Sequence, residues 1–231
     1  MIFDLRRGQG DVVMMWVMAG LLGFATLMVS IAGLALVNDG EGAAVLLIAI
    51  ALFMGAMTWL VCDEALSRAG TRVALDGAGG LHLKLPGRRS YVGQAPVSAV
   101  LPLATVRGIE TRLEAFRALG NTVIQRAYVL ILADGGRLAL GADRRMMAPF
   151  FGEAAAAIAQ RTNLPITDRG AVDGAPGFAM IWGASVPDWQ APSLPQAASE
   201  KRVRDEQTAW RVVAIVVGAA MLIGALARAL G

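Results

Sequence analysis

The stretch Val12–Val37, VVMMWVMAGLLGFATLMVSIAGLALV, contains no charged side chain. Crossing a bilayer takes ~20 predominantly apolar residues in a helix, so this run alone reads as a span. Gly42–Cys62, GAAVLLIAIALFMGAMTWLVC, is also uncharged and also long enough. Val212–Ala227, VVAIVVGAAMLIGALA, reaches the length with its flanks. Between the second and third runs lies one polar insert, Asp63 to Trp210, large enough to fold as a single domain.

Composition agrees with that layout. The chain has 231 residues, 56% of them hydrophobic, too apolar for an ordinary soluble protein. Arg6 and Arg7 ahead of an apolar run, with small residues at Ile31-Ala32-Gly33-Leu34-Ala35, imitate a cleaved signal. The run is much longer than the ~7–15 residues of a signal core, so it reads as a retained helix. The net charge is +3, and no basic block is interleaved with aromatics, which argues against nucleic-acid binding. The single cysteine, Cys62, excludes an intramolecular disulfide.

Orientation follows from the loops. Arg6 and Arg7 precede the first helix, and Arg68 and Arg72 follow the second. Lys201, Arg202, Arg204 and Arg211 precede the third, while the connector Asn38–Gly42 carries no basic residue. Basic residues near helix ends stay on the cytoplasmic side. The expectation is a multi-pass protein of a bacterial inner membrane, with its N-terminus and main domain cytoplasmic and its C-terminus periplasmic. Arg, Ala and Gly far outweigh Lys, as in GC-rich bacterial genomes. Trp16, Trp59 and Trp210 fall near the expected interfaces. Ala19/Gly23, Ala51/Gly55 and Ala214/Gly218 have the spacing that lets helices pack closely.

From Thr71 the period changes to two. Val73 and Leu75 alternate with polar neighbours, Asp76–Gly80 turns, and Leu81, Leu83 and Leu85 alternate on the return, a β-hairpin pattern. Ser90–Gln94 is a weaker strand, and Pro96 and Pro102 bracket an irregular stretch. Val106–Ala115 fits either a strand or a helical turn. Thr122–Ala133, the turn Asp134-Gly135-Gly136 and Arg137–Gly141 make the clearest hairpin. Asp143 then caps an expected helix to Asn163, with Met147, Phe150, Phe151, Ala154, Ala155, Ile158 and Ala159 on its apolar side.

Leu101–Val106, the Tyr128–Leu140 hairpin and the closing segment Phe150–Pro165 resemble the bacterial pleckstrin-homology-like domains found behind membrane hairpins. The resemblance covers Thr71–Pro165 and rests on the order of elements. It implies an α+β membrane protein: three transmembrane helices plus a cytoplasmic PH-like antiparallel β-barrel or sandwich closed by a C-terminal helix. A third membrane helix departs from the simplest members. The expected boundaries are 1–11 cytoplasmic, 12–37 and 43–62 transmembrane, 63–166 PH-like domain, 167–207 Pro/Gly-rich linker, and 208–230 transmembrane.

The apolar island Phe178–Trp182 and Trp189 mark the linker as more than a tether, so Phe178, Trp182 and Trp189 are partner-binding candidates. Arg88, Arg89, Arg144, Arg145, Lys201, Arg202 and Arg204 are candidates for contact with anionic lipid. His82 lacks companions for a metal site, Cys62 beside two carboxylates is a poor thiolate, and the glycines match no phosphate loop. No catalytic, metal or cofactor-binding residue is therefore assigned. The expected role is a non-enzymatic membrane scaffold, assembly factor or accessory subunit. Its expected partners are the lipid bilayer and a membrane or cytoplasmic protein, with a homo-oligomer as a further form. The alternatives are a membrane enzyme using Asp63, Glu64 and His82 at the bilayer boundary, or an oligomeric channel or transporter component. Mid-helix charges that ion pathways need are missing from the three runs.

Overall fold

The computed structural model describes residues 2–6, 8–38, 42–89, 92–118, 121–145, 149–174 and 187–230. The chain opens with a short strand, β1 (Phe3–Arg6), then helices α1 (Gln9–Asn38) and α2 (Ala43–Gly70). Strands β2 (Arg72–Leu75), β3 (Gly80–Leu85), β4 (Arg88–Arg89), β5 (Val92–Gly93) and β6 (Val97–Pro102) follow. A 3-10 turn at Leu103–Thr105 leads to β7 (Val106–Ala118), β8 (Asn121–Leu132) and β9 (Arg137–Arg144). Helix α3 (Phe151–Thr162), strand β10 (Ile166–Asp173) and helix α4 (Gln196–Leu230) complete the chain. The fold is mixed α+β, with four-stranded sheets β1-β2-β3-β6 and β10-β7-β8-β9 and a two-stranded ribbon β4-β5. Among the described residues these sheets do not close into a barrel, which corrects that part of the expectation.

Helices α1 and α2 are long and apolar enough to cross a membrane. They form an antiparallel hairpin whose seam is made of small residues. Ala19, Ala44 and Ala51 are buried there, and a Cβ on Gly33 would stand 3.3 Å from Leu47 Cβ. The Thr26 and Thr58 hydroxyls meet across the seam at 3.3 Å. The outer surface is apolar: Leu21, Phe24, Leu46, Leu52 and Phe53 are all more than half exposed. Water makes such a belt costly, whereas lipid tails do not.

The expected period-two pattern has a simple cause. Leu81, Leu83 and Leu85 face inward from β3 and are almost wholly buried, with Val73 and Leu75 beside them on β2. Ile109, Leu130 and Leu140 come from the second sheet, and Phe150, Phe151, Ala154, Ala155 and Ile158 from α3, to complete one core. Helix α3 thus packs on the second sheet and contributes to the core that both sheets share. Its start is fixed by Asp143, which lies on β9 and is not the residue preceding the helix. The Asp143 carboxylate accepts the N–H groups of Phe150 and Phe151 at 3.0 Å and of Gly152 at 2.7 Å. The helix therefore begins at Phe151, later than the sequence suggests; Met147 lies outside the described residues. Asn163, in the left-handed region at φ 54°, ends it.

Three stretches differ from the sequence reading, and a fourth, Val106–Ala118, resolves to the strand among its two alternatives. Residues 1–11 include β1, which pairs antiparallel with β2. The stretch bracketed by Pro96 and Pro102 is strand β6, paired with β3 at the edge of its sheet among the described residues; an edge tolerates proline. Val106–Ala118 is one continuous strand in register with β8 after a bulge near Gly108. The segment 167–207 is not a linker throughout: β10 runs parallel to β7, and α4 begins at Gln196, well before residue 208.

Candidate binding cleft between the second sheet and the last helix

Two alternate faces of β7 have opposite chemistry. Ile109 joins the core, while Glu110, Arg112 and Glu114 line the other face and are nonetheless buried. Gln125 and Arg144, register partners on β8 and β9, are buried too. Burying polar groups costs free energy unless they are hydrogen-bonded. Gln125 Nε2 donates to Glu114 Oε2 at 2.6 Å. Glu110 receives the Arg169 guanidinium from β10, with Arg137 of β9 at 3.6 Å. Arg112 donates through Nη1 to the Asp188 carbonyl and through Nη2 to the Ala191 carbonyl, both at 2.5 Å. The segment carrying Trp189 is therefore pinned onto this sheet by a buried arginine.

The polar half of α4 crosses the neighbouring strand. Glu206 is buried, and its Oε1 accepts the Ile124 N–H at 2.9 Å, while Oε2 finds no protein donor among the described residues. Burial pushes the Glu206 carboxyl above its ordinary range, against the pull of the Ile124 N–H, Arg145 and Arg144. One and two turns back along α4, Val203 and Ser199 face Arg126, Tyr128, Arg144 and Arg145 across an open cleft of about 550 Å³. Burial, with the Asp143 charge adding to it, raises the Tyr128 phenol. Arg126 is tied to Asp168 at 2.9 Å, and Arg202 makes a two-point pair with Asp173 at 3.0 Å, which fastens α4 to β10.

The lipid-contact candidates divide. Arg89 is 2% exposed and forms an internal pin. It donates to the carbonyls of Pro86 (2.6 Å), Ala95 (3.2 Å) and Ala139 (3.3 Å) and to Gln94 Oε1 (2.5 Å). Burial lowers its pKa to about 10, which leaves it charged at neutral pH. Arg144 is also buried, so neither offers its guanidinium to a membrane surface. Arg88 is held by Asp63 at 2.7 Å and lies over the Trp59 ring at 5.5 Å, and the Ser67 hydroxyl donates to its carbonyl. Arg145, Lys201 and Arg204 are exposed. The burial of Arg89 and Arg144 carried no signal in a sequence where a doublet of arginines reads as solvated.

The enzyme alternative's residues sit in separate pairs. Asp63 holds Arg88, Glu64 holds Arg68 in a buried i,i+4 pair at 2.9 Å, and His82 meets Asp76 at 2.8 Å on the first sheet. Trp189 is half-buried beside the Arg112 pin, and Phe178 and Trp182 lie outside the described residues. Among the described residues no group of three His, Cys, Asp or Glu side chains is placed to hold a metal. No family model, curated protein or solved structure matches the chain.

Proposed function

We propose that this chain is an inner-membrane scaffold or accessory subunit whose cytoplasmic, PH-like domain holds a protein partner in the cleft between β8–β9 and α4. In this reading the apolar C-terminal half of α4 enters the bilayer as a third helix. One observation carries it: the domain is fastened directly to its membrane elements. Sheet pairing joins β1 to β2 across the helical hairpin, Arg88 joins the β4–β5 ribbon to Asp63 of α2, and Glu206 joins α4 to β8. A flexible tether would let the domain wander, whereas these contacts give the cleft one stance relative to the bilayer. The antiparallel strands β2–β9 followed by a helix that packs into the core both sheets share support the PH-like assignment. The exposed Arg145 at the cleft, with Arg126 beside it in its pair with Asp168, suits a partner segment bearing carboxylates.

The test is photo-crosslinking in cells from Ser199 and Val203, with Val100 on the other sheet as control, followed by extraction in mild detergent and mass measurement. One discrete adduct from the cleft positions and not from Val100 is expected. A lone monomer in every mild detergent, with no adduct, overturns the proposal.

A further inference from the structure

Sheet register brings together three basic residues that are far apart in sequence. Arg6 on β1 is the partner of Arg72 on β2, and Arg72 is the partner of Lys84 on β3, which in turn faces Ser98 on β6. Register partners project to the same face, and their alternating neighbours Leu5, Val73 and Leu83 pack into the core. The row therefore lies on the outer face of the first sheet. Arg6 and Lys84 are exposed. Asp4, two residues from Arg6 on the same face of β1, takes Arg72 through two contacts at 2.7 and 2.8 Å and touches Arg6 at 3.5 Å. Asp4 and, beside His82, Asp76 are the carboxylates on this face against Arg6, Arg72 and Lys84, so the patch stays net positive. Beside it is an open hollow of about 310 Å³ lined by Arg72, His82, Lys84, Ser98 and Val100, with His82 held by Asp76.

Like charges placed directly opposite across strands destabilise a sheet. A row of three such charges persists most readily where an anion faces it. The chain itself fixes what that anion is. Arg6 lies just before α1 and Arg72 just after α2, so the row stands where both apolar helices enter the sheet. Strands lie ~4.8 Å apart, which spreads the three cations over roughly the width of a phospholipid headgroup.

We infer that the row Arg6–Arg72–Lys84, with Ser98 at its end, is a docking face for the anionic phospholipid headgroups of the leaflet that α1 and α2 enter. The inference rests on those two helices being membrane-embedded. It is separate from the α4 cleft, and it uses residues whose nearness only the sheet register creates. Each basic residue near an anionic surface strengthens contact by about fivefold, and the effect weakens with salt.

The experiment uses the full chain in nanodiscs of phosphatidylcholine with rising fractions of phosphatidylglycerol, reading lipid retained by mass spectrometry after detergent exchange. The wild type is expected to retain phosphatidylglycerol preferentially, and to lose that preference as salt rises. Arg6→Gln with Lys84→Gln, which leaves the Arg72–Asp4 pair intact, is expected to weaken retention by about twentyfold. Arg107→Gln with Arg161→Gln removes the same charge from exposed sites elsewhere and is expected to change little. A chain that inserts but shows no preference overturns the headgroup face alone, as does equal loss in both double variants. A chain that stays in the aqueous phase overturns the membrane reading as well.

Discussion

Asp4 and Arg72 share a two-point ion pair, Nε to Oδ1 at 2.7 Å and Nη2 to Oδ2 at 2.8 Å, although 68 positions separate them. Both apolar helices lie in that interval. The contact requires the helical hairpin to go out and return, leaving the N-terminal strand and the main domain at the same end of it. The Arg72 guanidinium holds the Asp4 carboxyl below its ordinary range. This stabilisation is present above the unfolded carboxyl pKa and is lost as pH falls through the depressed value.

A cysteine-labelling map checks that topology. In a Cys62→Ser background, Gly8→Cys and Lys84→Cys should react with a membrane-impermeant maleimide from the same side, and Gly42→Cys only from the other. Opposite-sided labelling at Gly8 and Lys84 would be incompatible with the β1–β2 ladder.

Gly141 has φ 149°, and a Cβ there would collide with the Phe151 ring, whose Cε1 would be only 2.8 Å away. Phe151 is fully buried and fixes α3 against β9. Gly141→Ala should therefore destabilise the domain by about 1–3 kcal/mol, the usual cost of overpacking a filled core. Denaturant unfolding followed by domain fluorescence, with Gly77→Ala in an open turn as control, would measure it.

The Arg112 pin gives a third prediction. Its side chain is 1% exposed, and two of its N–H groups hold the Asp188 and Ala191 carbonyls. Arg112→Ala should free the 187–191 segment and cost about 2–4 kcal/mol, since charge-assisted bonds in a buried setting are lost together. Arg112→Lys keeps the charge but cannot span both carbonyls. Faster proteolysis near Trp189 in both variants, greater in the alanine form, is the expected result. Unchanged cleavage would show that the segment is held by something else.

Which of these relationships could be read in advance follows from how local they are. The Leu81–Leu83–Leu85 alternation and the Asp134-Gly135-Gly136 turn are set by neighbours in sequence, and both appear where expected. Strand β1 is only Phe3–Arg6, and its partner is reached through the whole hairpin, so four residues of alternation had no local companion to mark them. Strand β10 carries Asp168, Arg169 and Gly170 in its middle and pairs in parallel with β7, where loop chemistry hides the strand. Asp143 was recognisable as a cap, but its position on β9 was not, because a carboxylate can cap from a distance. Arginine doublets were equally ambiguous. Arg89 turned inward because four acceptors from three segments surround it, a fact of tertiary packing.

Glu206 allows a test by pH. Its carboxyl is buried against β8 with one oxygen bonded to the Ile124 N–H and the other without a protein donor among the described residues. Burial raises its pKa in the folded state above the ordinary value of 4.5, against smaller opposing pulls from the Ile124 N–H, Arg145 and Arg144. The folded form thus holds the proton more tightly than the unfolded form. Stability of the α4–β8 junction should be greatest below the unfolded value and decline as pH rises through the raised folded value, above which the penalty is fully present. Glu206→Gln retains a carbonyl oxygen for Ile124 and removes the charge, so it should flatten that decline and strengthen the junction at neutral pH. Hydrogen exchange at the Ile124 amide from about pH 5 to about pH 7, corrected for intrinsic rates, provides the readout. Protection that falls equally with pH in wild type and Glu206→Gln would assign the effect to another group, with Arg126, Tyr128, Asp143, Arg144 and Arg145 the charged and titratable neighbours across the cleft.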